Sequence, residues 1–305
     1  MRILVHLPST VPAFRASDAA LARLSARLPM HELAAVASEA ELVAALPDAD
    51  AAVVWRFLPE WYLAAPRLRH VFTPSAGREP LPAPPRDGVE RHFGHFHGAI
   101  MGESLLAMIA FMNRRLGEAV RAQAARSWDR TPYFPARRLA GQVALLIGFG
   151  AIGQHAARLL SAIGMEVHGV RRDVSRPSPH AARVFAADQL LDAVALADHV
   201  ACVLPGDTGS DRLLGAEVFA RMKPSACVYN LGRGNPIDAD ALVEALAVGR
   251  VAGAFLDVTP EEPLPPSSPL WRTPNLYLTP HASAISVEYL DLYFEELATE
   301  LSKLA

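Results

Sequence analysis

The sequence predicts an α/β protein whose main sheet is parallel and doubly wound. Three observations carry that expectation. Apolar runs of strand length alternate with helical stretches across residues 143–257. The first of these runs opens directly into three glycines, Gly148, Gly150 and Gly153. A shorter alternation of the same kind fills the first third of the chain. Unbroken apolar strands belong in parallel sheets covered on both faces, and strand–helix alternation is the pattern of α/β architecture.

In chain order, residues 2–6 are a short apolar strand followed by a Pro-containing loop. Residues 17–28 have helical spacing, with Asp18 in the first turn. Strands at 51–55 and 71–72 alternate with helical segments at 39–46 and 60–65, which makes a small parallel α/β domain. Residues 73–78 are a strand end opening into a turn. Ligands of such sheets sit outside the carboxyl ends of strands, so the backbone N–H groups of Ala76 and Gly77 are candidates to hold a substrate carboxylate. An ordinary turn fits the same residues. The Pro-rich stretch 78–87 is a loop. His92, His95 and His97 lie close together, but their spacing does not put two ligands on one helical face. With no Cys or carboxylate cluster beside them, no metal site is expected. Residues 102–116 have a strong helical pattern, with Leu105, Met108, Ile109 and Met112 as an apolar stripe for the core or a subunit interface. Residues 127–138 are an irregular connection.

Residues 143–147 (VALLI) then form a buried strand. The glycines follow in the G-x-G-x-x-G spacing. Gly148 permits the tight turn, Gly150 lets a pyrophosphate approach the backbone, and Gly153 lets the helix pack closely on the strand. Residues 154–163 are helical in period, and the helix N-terminus would present N–H groups and partial positive charge to phosphate. Gly164 stops the helix, and 166–170 is a second strand. With strand, turn, helix and strand in sequence, the motif predicts a Rossmann-like dinucleotide site, with Phe149, Ala151 and Ile152 beside the glycines.

The end of the second strand selects the dinucleotide. A carboxylate there would hold the ribose hydroxyls of NAD. This chain has Arg171 and Arg172, followed by Asp173. Guanidinium groups pair with a 2′-phosphate that a carboxylate would repel. The expectation is NADP(H), with NAD(H) the alternative if the arginines are solvated and Asp173 takes the ribose.

Residues 188–195 read as a helix, 199–204 as a strand, 213–221 as a helix and 226–231 as a strand. Residues 239–247 follow as a helix, and 251–256 and 275–278 as strands. Leu204, Pro205, Leu231 and Gly232, at two of these strand ends, join the expected coenzyme site.

Composition narrows the function. A chain of 305 residues suits two domains. A hydrophobic fraction of 51% and a charged fraction of 20% are those of a soluble globular protein. The net charge of −3 supplies no basic field, so no nucleic-acid partner is expected. No apolar run has the length of a membrane span, and the opening MRILVHLPST reads as a first strand rather than a secretory leader. Cys202 and Cys227 fall in apolar strands, where buried free thiols in a reducing cytoplasm are expected.

Three polar residues sit at strand ends where catalysis would occur: Arg233, Glu262 and His281. Singly, a surface ion pair, a loop carboxylate and a capping histidine would account for them. Together they meet the needs of hydride transfer to a 2-keto acid. A guanidinium offers a planar fork of donors for carboxylate and carbonyl. An imidazole supplies a proton near neutral pH. A carboxylate beside it orients the ring. Arg233 and His281 therefore join Ala76 and Gly77 as candidate substrate contacts.

GFGAIG with its flanking strand, NLGRGNPIDADALVEAL, GAFLDVTPEEPLP and LTPHASA resemble the D-isomer-specific 2-hydroxyacid dehydrogenases. The resemblance is clear over residues 139–284 and weak before residue 98. It implies that Arg233 binds substrate, that Glu262 partners the catalytic histidine, that His281 donates the proton, and that Asp257 lies near the nicotinamide carboxamide. His281 itself, Ala282 beside it, and Arg233 would also line the coenzyme. The resemblance further implies two Rossmann-like domains. A coenzyme domain of residues 99–281 would be inserted into a smaller substrate-binding domain of residues 1–98 and 282–305. It also implies a homodimer formed with help from the helix beginning near Ile100. The substrate expected is a small 2-keto acid of the glyoxylate or hydroxypyruvate type, reduced to the D-2-hydroxy acid. Two alternatives share the scaffold: a nucleotide-sensing interaction protein without turnover, and a phosphite or formate dehydrogenase. The turn Ser75-Ala76-Gly77-Arg78 and the helix start Met101-Gly-Glu-Ser104 depart from the usual pattern and leave the substrate open.

Overall fold

The computed structural model describes residues 1–206 and 208–304. The chain folds into two compact units, Met1–His97 with Ile285–Ala305, and Gly98–Ala284.

The first unit contains β1 (Arg2–His6), α1 (Asp18–Arg27), β2 (Glu32–Ala35), α2 (Glu39–Ala45), β3 (Ala51–Val54), α3 (Pro59–Ala64), β4 (His70–Thr73) and β5 (Glu90–Phe93). All five strands are parallel, in the order β2-β1-β3-β4-β5. Leu4, Ala52, Val54, Phe57, Trp61, Tyr62 and Val71 build the core on one face of this sheet. The Oγ atoms of Ser17 and Ser38 each accept a backbone N–H at 3.2 Å, starting α1 and α2. The C-terminal helix, Tyr289–Leu304, returns to this unit and buries Tyr289, Leu290, Tyr293, Phe294, Leu297 and Leu301. Arg23 and Arg27 of α1 pair with its Asp291 and Glu295 at 2.5 and 3.1 Å.

The second unit opens with α4 (Gly98–Asn113) and α5 (Leu116–Ala124). The continuous helix expected over 102–116 is divided because Arg115 adopts a left-handed backbone, φ +54°. Leu105, Met108 and Ile109 of the apolar stripe are core residues. Then come β6 (Val143–Ile147), α6 (Ala151–Ala162), β7 (Glu166–Val170), β8 (Arg183–Phe185), α7 (Leu190–Leu196), β9 (His199–Cys202), α8 (Ala216–Arg221), β10 (Cys227–Asn230), α9 (Ala239–Ala247), β11 (Gly253–Leu256) and β12 (Leu276–Leu278). These seven strands form one parallel sheet in the order β12-β11-β10-β9-β6-β7-β8. The order reverses between β6 and β9, which is the switch point where doubly wound sheets bind dinucleotides.

This is the α/β class the sequence predicts. Strands β2, β5 and β8 lie outside the sequence expectation, and all three are sheet edges. An edge strand holds its place by backbone pairing on one side and needs no apolar run. Cys202 and Cys227 are free and buried. Among the described residues no helix is long and apolar enough to cross a membrane.

Candidate active site

The expected coenzyme and catalytic residues of the second unit stand at the carboxyl ends of adjacent strands. At the end of β6, Gly148 takes φ +97°, and a Cβ there would lie 2.9 Å from the Val203 carbonyl oxygen. A Cβ on Gly153 would lie 2.4 Å from the carbonyl oxygen of Gly148, so α6 can start this close to the turn only with glycine. A Cβ on Gly150 would meet nothing within 4 Å. That open space is where an incoming phosphate could reach the N–H groups at the start of α6, which begins at Ala151 rather than at residue 154. Phe149 is buried beneath the turn, Ile152 is half-buried and Ala151 is exposed.

Arg171 follows β7. Its guanidinium carbon lies 5.8 Å from the centre of the Phe149 ring. One Nη donates to the carbonyl oxygen of Arg176. The Nε and the other Nη are buried and hold no hydrogen-bond partner among the described residues. Arg172 is exposed. Asp173 is turned to its own loop. Its carboxylate accepts the Ser175 hydroxyl at 2.6 Å and the Ser175 N–H at 3.1 Å, and it meets Arg176 Nε at 3.2 Å. Those bonds, the serine hydroxyl first, hold the carboxyl below its usual range. The residues present therefore fit a dinucleotide: an open glycine turn, a helix start, and an arginine with unused donors just after β7.

Leu204 and Pro205 close β9, and Leu231 and Gly232 close β10. The β10 turn is pinned by Asn230, which is fully buried. Its Oδ1 accepts the Gly232 N–H at 3.2 Å, and its Nδ2 donates to the Arg233 carbonyl oxygen at 2.7 Å. Gly234 follows closely, since a Cβ there would lie 1.9 Å from the Thr259 carbonyl oxygen. Arg233 is thus fixed from both sides by the backbone, and its Nη1 donates to the Gly232 carbonyl oxygen at 3.0 Å.

Glu262 follows β11 and His281 follows β12, so Arg233, Glu262 and His281 stand at the ends of three neighbouring strands. His281 Nδ1 and Glu262 Oε2 are 2.8 Å apart. The other carboxylate oxygen of Glu262 accepts the Thr259 N–H at 3.0 Å. With Nδ1 held by the carboxylate, Nε2 is the ring nitrogen left to face a reactant. Both side chains are partly open to solvent.

The loop that carries His281 hangs on Asp257. This residue is 1% exposed. Its Oδ1 accepts the Thr279 hydroxyl and the Ala282 N–H, each at 2.7 Å, and its Oδ2 accepts the Ser283 N–H at 3.0 Å. Its carbonyl oxygen accepts the His281 N–H at 2.8 Å. The structure therefore shows Asp257 holding the histidine loop, with its carboxylate already occupied. His281 itself has φ +52°, a left-handed backbone that a β-carbon disfavours. The bonds to Asp257 secure it there. Asn230, Thr259, Thr279 and Ser283 were not singled out by the sequence. Their sequence signal is their place inside the motifs NLGRG, LDVTPEE and LTPHASA at the ends of strands.

In the first unit, Ala76 and Gly77 lie in the turn after β4. The Gly77 N–H donates to Ser75 Oγ at 3.2 Å, so a carboxylate binding there would have to share that donor. At the ends of β1 and β3, a pocket of about 460 Å³ is lined by His6, Phe14, Trp55, Arg56 and Trp61 among others. The sequence had not marked it.

The family model of the D-isomer specific 2-hydroxyacid dehydrogenase NAD binding domain matches residues 106–283, more than half of the chain. A glyoxylate reductase of Thermofilum pendens is 32% identical over 235 residues, covering 74% of this chain and 68% of that protein. An Aeromonas salmonicida structure described as a D-isomer specific 2-hydroxyacid dehydrogenase family protein superposes with a TM-score of 0.80 at 27% identity, covering 99% of this chain and 96% of that one. An NADPH-dependent glyoxylate/hydroxypyruvate reductase of Sinorhizobium meliloti, solved with NADP and sulfate, gives a TM-score of 0.80 at 25% identity, covering 99% and 94%. The chain belongs to the D-isomer specific 2-hydroxyacid dehydrogenase family and carries its NAD-binding domain. Against a longer relative, the chloroplastic D-3-phosphoglycerate dehydrogenase 2 of Arabidopsis thaliana, the match spans 60% of this chain and only 29% of that protein.

Proposed function

We propose that this protein is a reductase of small 2-keto acids of the glyoxylate or hydroxypyruvate type, that it forms the D-2-hydroxy acid, and that it prefers NADPH. The observation that carries the reading is the 2.8 Å contact between His281 Nδ1 and Glu262 Oε2 at the carboxyl edge of a dinucleotide-binding sheet. The second unit is read as the coenzyme domain and the first as the substrate-binding domain.

The hydride comes from the nicotinamide when it is bound. Arg233 supplies the cation that takes the substrate carboxylate and polarises the carbonyl. His281 Nε2 gives a proton to the oxygen that becomes the hydroxyl. Glu262 keeps the ring oriented through its bond to Nδ1. Asp257 keeps His281 on its loop. The unused donors of Arg171 suit the 2′-phosphate of NADP, and Asp173, already bonded to Ser175 and Arg176, is poorly placed to serve a ribose. The names of the T. pendens and S. meliloti relatives point to the same substrates.

The segment after α4 supports a homodimer. Leu116, Val120, Trp128 and Phe134 are exposed there, Trp128 at 93%, and large exposed apolar side chains grouped in one segment mark association surfaces. The two buried thiols suit a reducing compartment such as the cytoplasm.

The test is a panel of 2-keto acids with NADPH and with NADH. Consumption of NADPH with glyoxylate or hydroxypyruvate, at a higher kcat/KM than with NADH, is expected. No turnover with any member, or a clear NADH preference, would overturn the substrate or the coenzyme assignment respectively.

A further inference from the structure

We propose that β4 and β5 of the first unit carry a site for a divalent transition-metal ion of the zinc class, with His70, Glu90 and His92 as ligands. The strand register puts His70 opposite Glu90 and Phe72 opposite His92. Successive residues of a strand alternate between faces, so all three ligands share one face at the edge of the sheet. His70 Nδ1 and His92 Nε2 are 3.2 Å apart. Glu90 Oε2 is 3.6 Å from the first nitrogen and 3.8 Å from the second.

Those separations match a coordination triangle. Nitrogen and oxygen ligands at the usual zinc distances stand roughly 3.3–3.5 Å from one another on a tetrahedron. The three donor atoms need to move by only a few tenths of an ångström. The fourth position would take water. Two imidazoles and one carboxylate, with no thiolate, favour zinc, cobalt, nickel or copper over magnesium or calcium.

The surroundings also suit a metal. The His92 ring stacks on Phe72, with centroids 4.2 Å apart and planes inclined by 16°. Its other nitrogen, Nδ1, faces Glu300 Oε2 of the C-terminal helix at 4.0 Å. A carboxylate behind a histidine ligand fixes the ring and raises its basicity. Bound metal would clip the edge strand β5 to β4 and, through Glu300, hold the C-terminal helix against the same sheet. The plain alternative is a histidine pair sharing one hydrogen, which the same 3.2 Å contact allows.

The experiment uses the full chain stripped with a chelator. It is titrated with zinc(II) by calorimetry and with cobalt(II) by visible absorption, and thermal midpoints are read with and without zinc. One ion per chain, strong cobalt bands of a four-coordinate site, and a raised midpoint with zinc are expected. His70→Gln and His92→Gln should each weaken zinc binding by about 100-fold or more, and Glu300→Gln by about tenfold. Their metal-free circular dichroism should match the parent. If either histidine variant fails to fold, the exposed Glu90→Gln decides, with a loss of at least about tenfold expected. Absence of binding tighter than about millimolar, or equal affinity in the parent and the folded variants, would overturn the site. These readouts do not depend on keto-acid reduction.

Discussion

At the carboxyl ends of the seven-stranded sheet stand an open glycine turn, an arginine with unused donors, and a histidine bonded to a glutamate. At the ends of β1 and β3 in the five-stranded sheet stand His6, Trp55 and Arg56, with Phe14 and Trp61, around a pocket of about 460 Å³. The strands of both sheets are parallel, and helices connect most of them. What differs is the chemistry placed at their ends. One set suits phosphate, hydride and proton; the other offers an aromatic wall and suits selection by shape. Architecture alone therefore does not determine what the protein does.

The histidines of the two units differ as well. His281 is held in a left-handed conformation by a buried aspartate, whereas His70 and His92 lie within the extended strands β4 and β5. His199 in β9 is a third kind. It is buried, and its two nitrogens meet Tyr229 Oη and Gln142 Oε1, each at 2.9 Å. Burial pulls its pKa down from 6.5 to about 4, against the opposing pull of Asp198 and with help from Lys223. The folded pKa is depressed, so the stability this residue contributes is complete above pH 6.5 and is lost as pH falls toward 4. We expect the second unit to lose about 3 kcal/mol over that window. Denaturation followed at several pH values would check it. His199→Gln should be less stable at pH 7 yet lack most of the slope; an unchanged slope would assign the acid sensitivity elsewhere.

Asp257→Asn comes next in size. An amide cannot accept all three bonds that Thr279, Ala282 and Ser283 now make, and the His281 loop should shift. A misplacement of about 1 Å costs roughly 100-fold in rate. Steady-state kinetics should show that loss in kcat with KM little changed. Parent-like kcat would mean that the loop is held by other contacts.

Arg171→Ala should raise KM for NADPH about tenfold or more, the loss of one charge-assisted bond or two, while KM for NADH stays within about twofold. Equal effects on both coenzymes would place the arginine outside the 2′-phosphate site. Smallest is Ser38→Ala in the first unit, which removes the cap of α2. It should cost about 1 kcal/mol in urea denaturation and leave turnover unchanged.

The sequence made the second unit legible because its core strands are unbroken apolar runs and its glycine spacing has a mechanical cause at each position. Gly148, Gly150 and Gly153 each show the environment that cause requires. Of the four sheet edges β12 was legible, while β2, β5 and β8 were not. Glu32–Ala35 and Glu90–Phe93 are half-exposed and carry polar residues, so no hydrophobic period distinguishes them from loops. The C-terminal helix had a readable signal in its apolar residues at 289, 290, 293, 294, 297 and 301, but no strand or motif drew attention to it. The histidine cluster was hidden for another reason. Along the chain His92 groups with His95 and His97. The structure instead pairs its ring with His70, 22 residues away, through the register of two strands. His97 bonds to Tyr289 Oη at 3.0 Å, and the His95 N–H bonds to Glu296. If zinc binds as proposed, the expectation of no metal site is overturned.

If His281 delivers the proton, loss of its imidazole should stop turnover and spare the nucleotide binding that rests on the glycine turn and Arg171. The direct measurement is NADPH oxidation with glyoxylate by the parent and by His281→Gln, with NADPH affinity taken from nucleotide fluorescence in both. A fall in kcat on the order of 10²- to 10⁴-fold is expected, with nucleotide affinity within about twofold. Turnover near that of the parent in the variant would contradict the proton-donor role of His281.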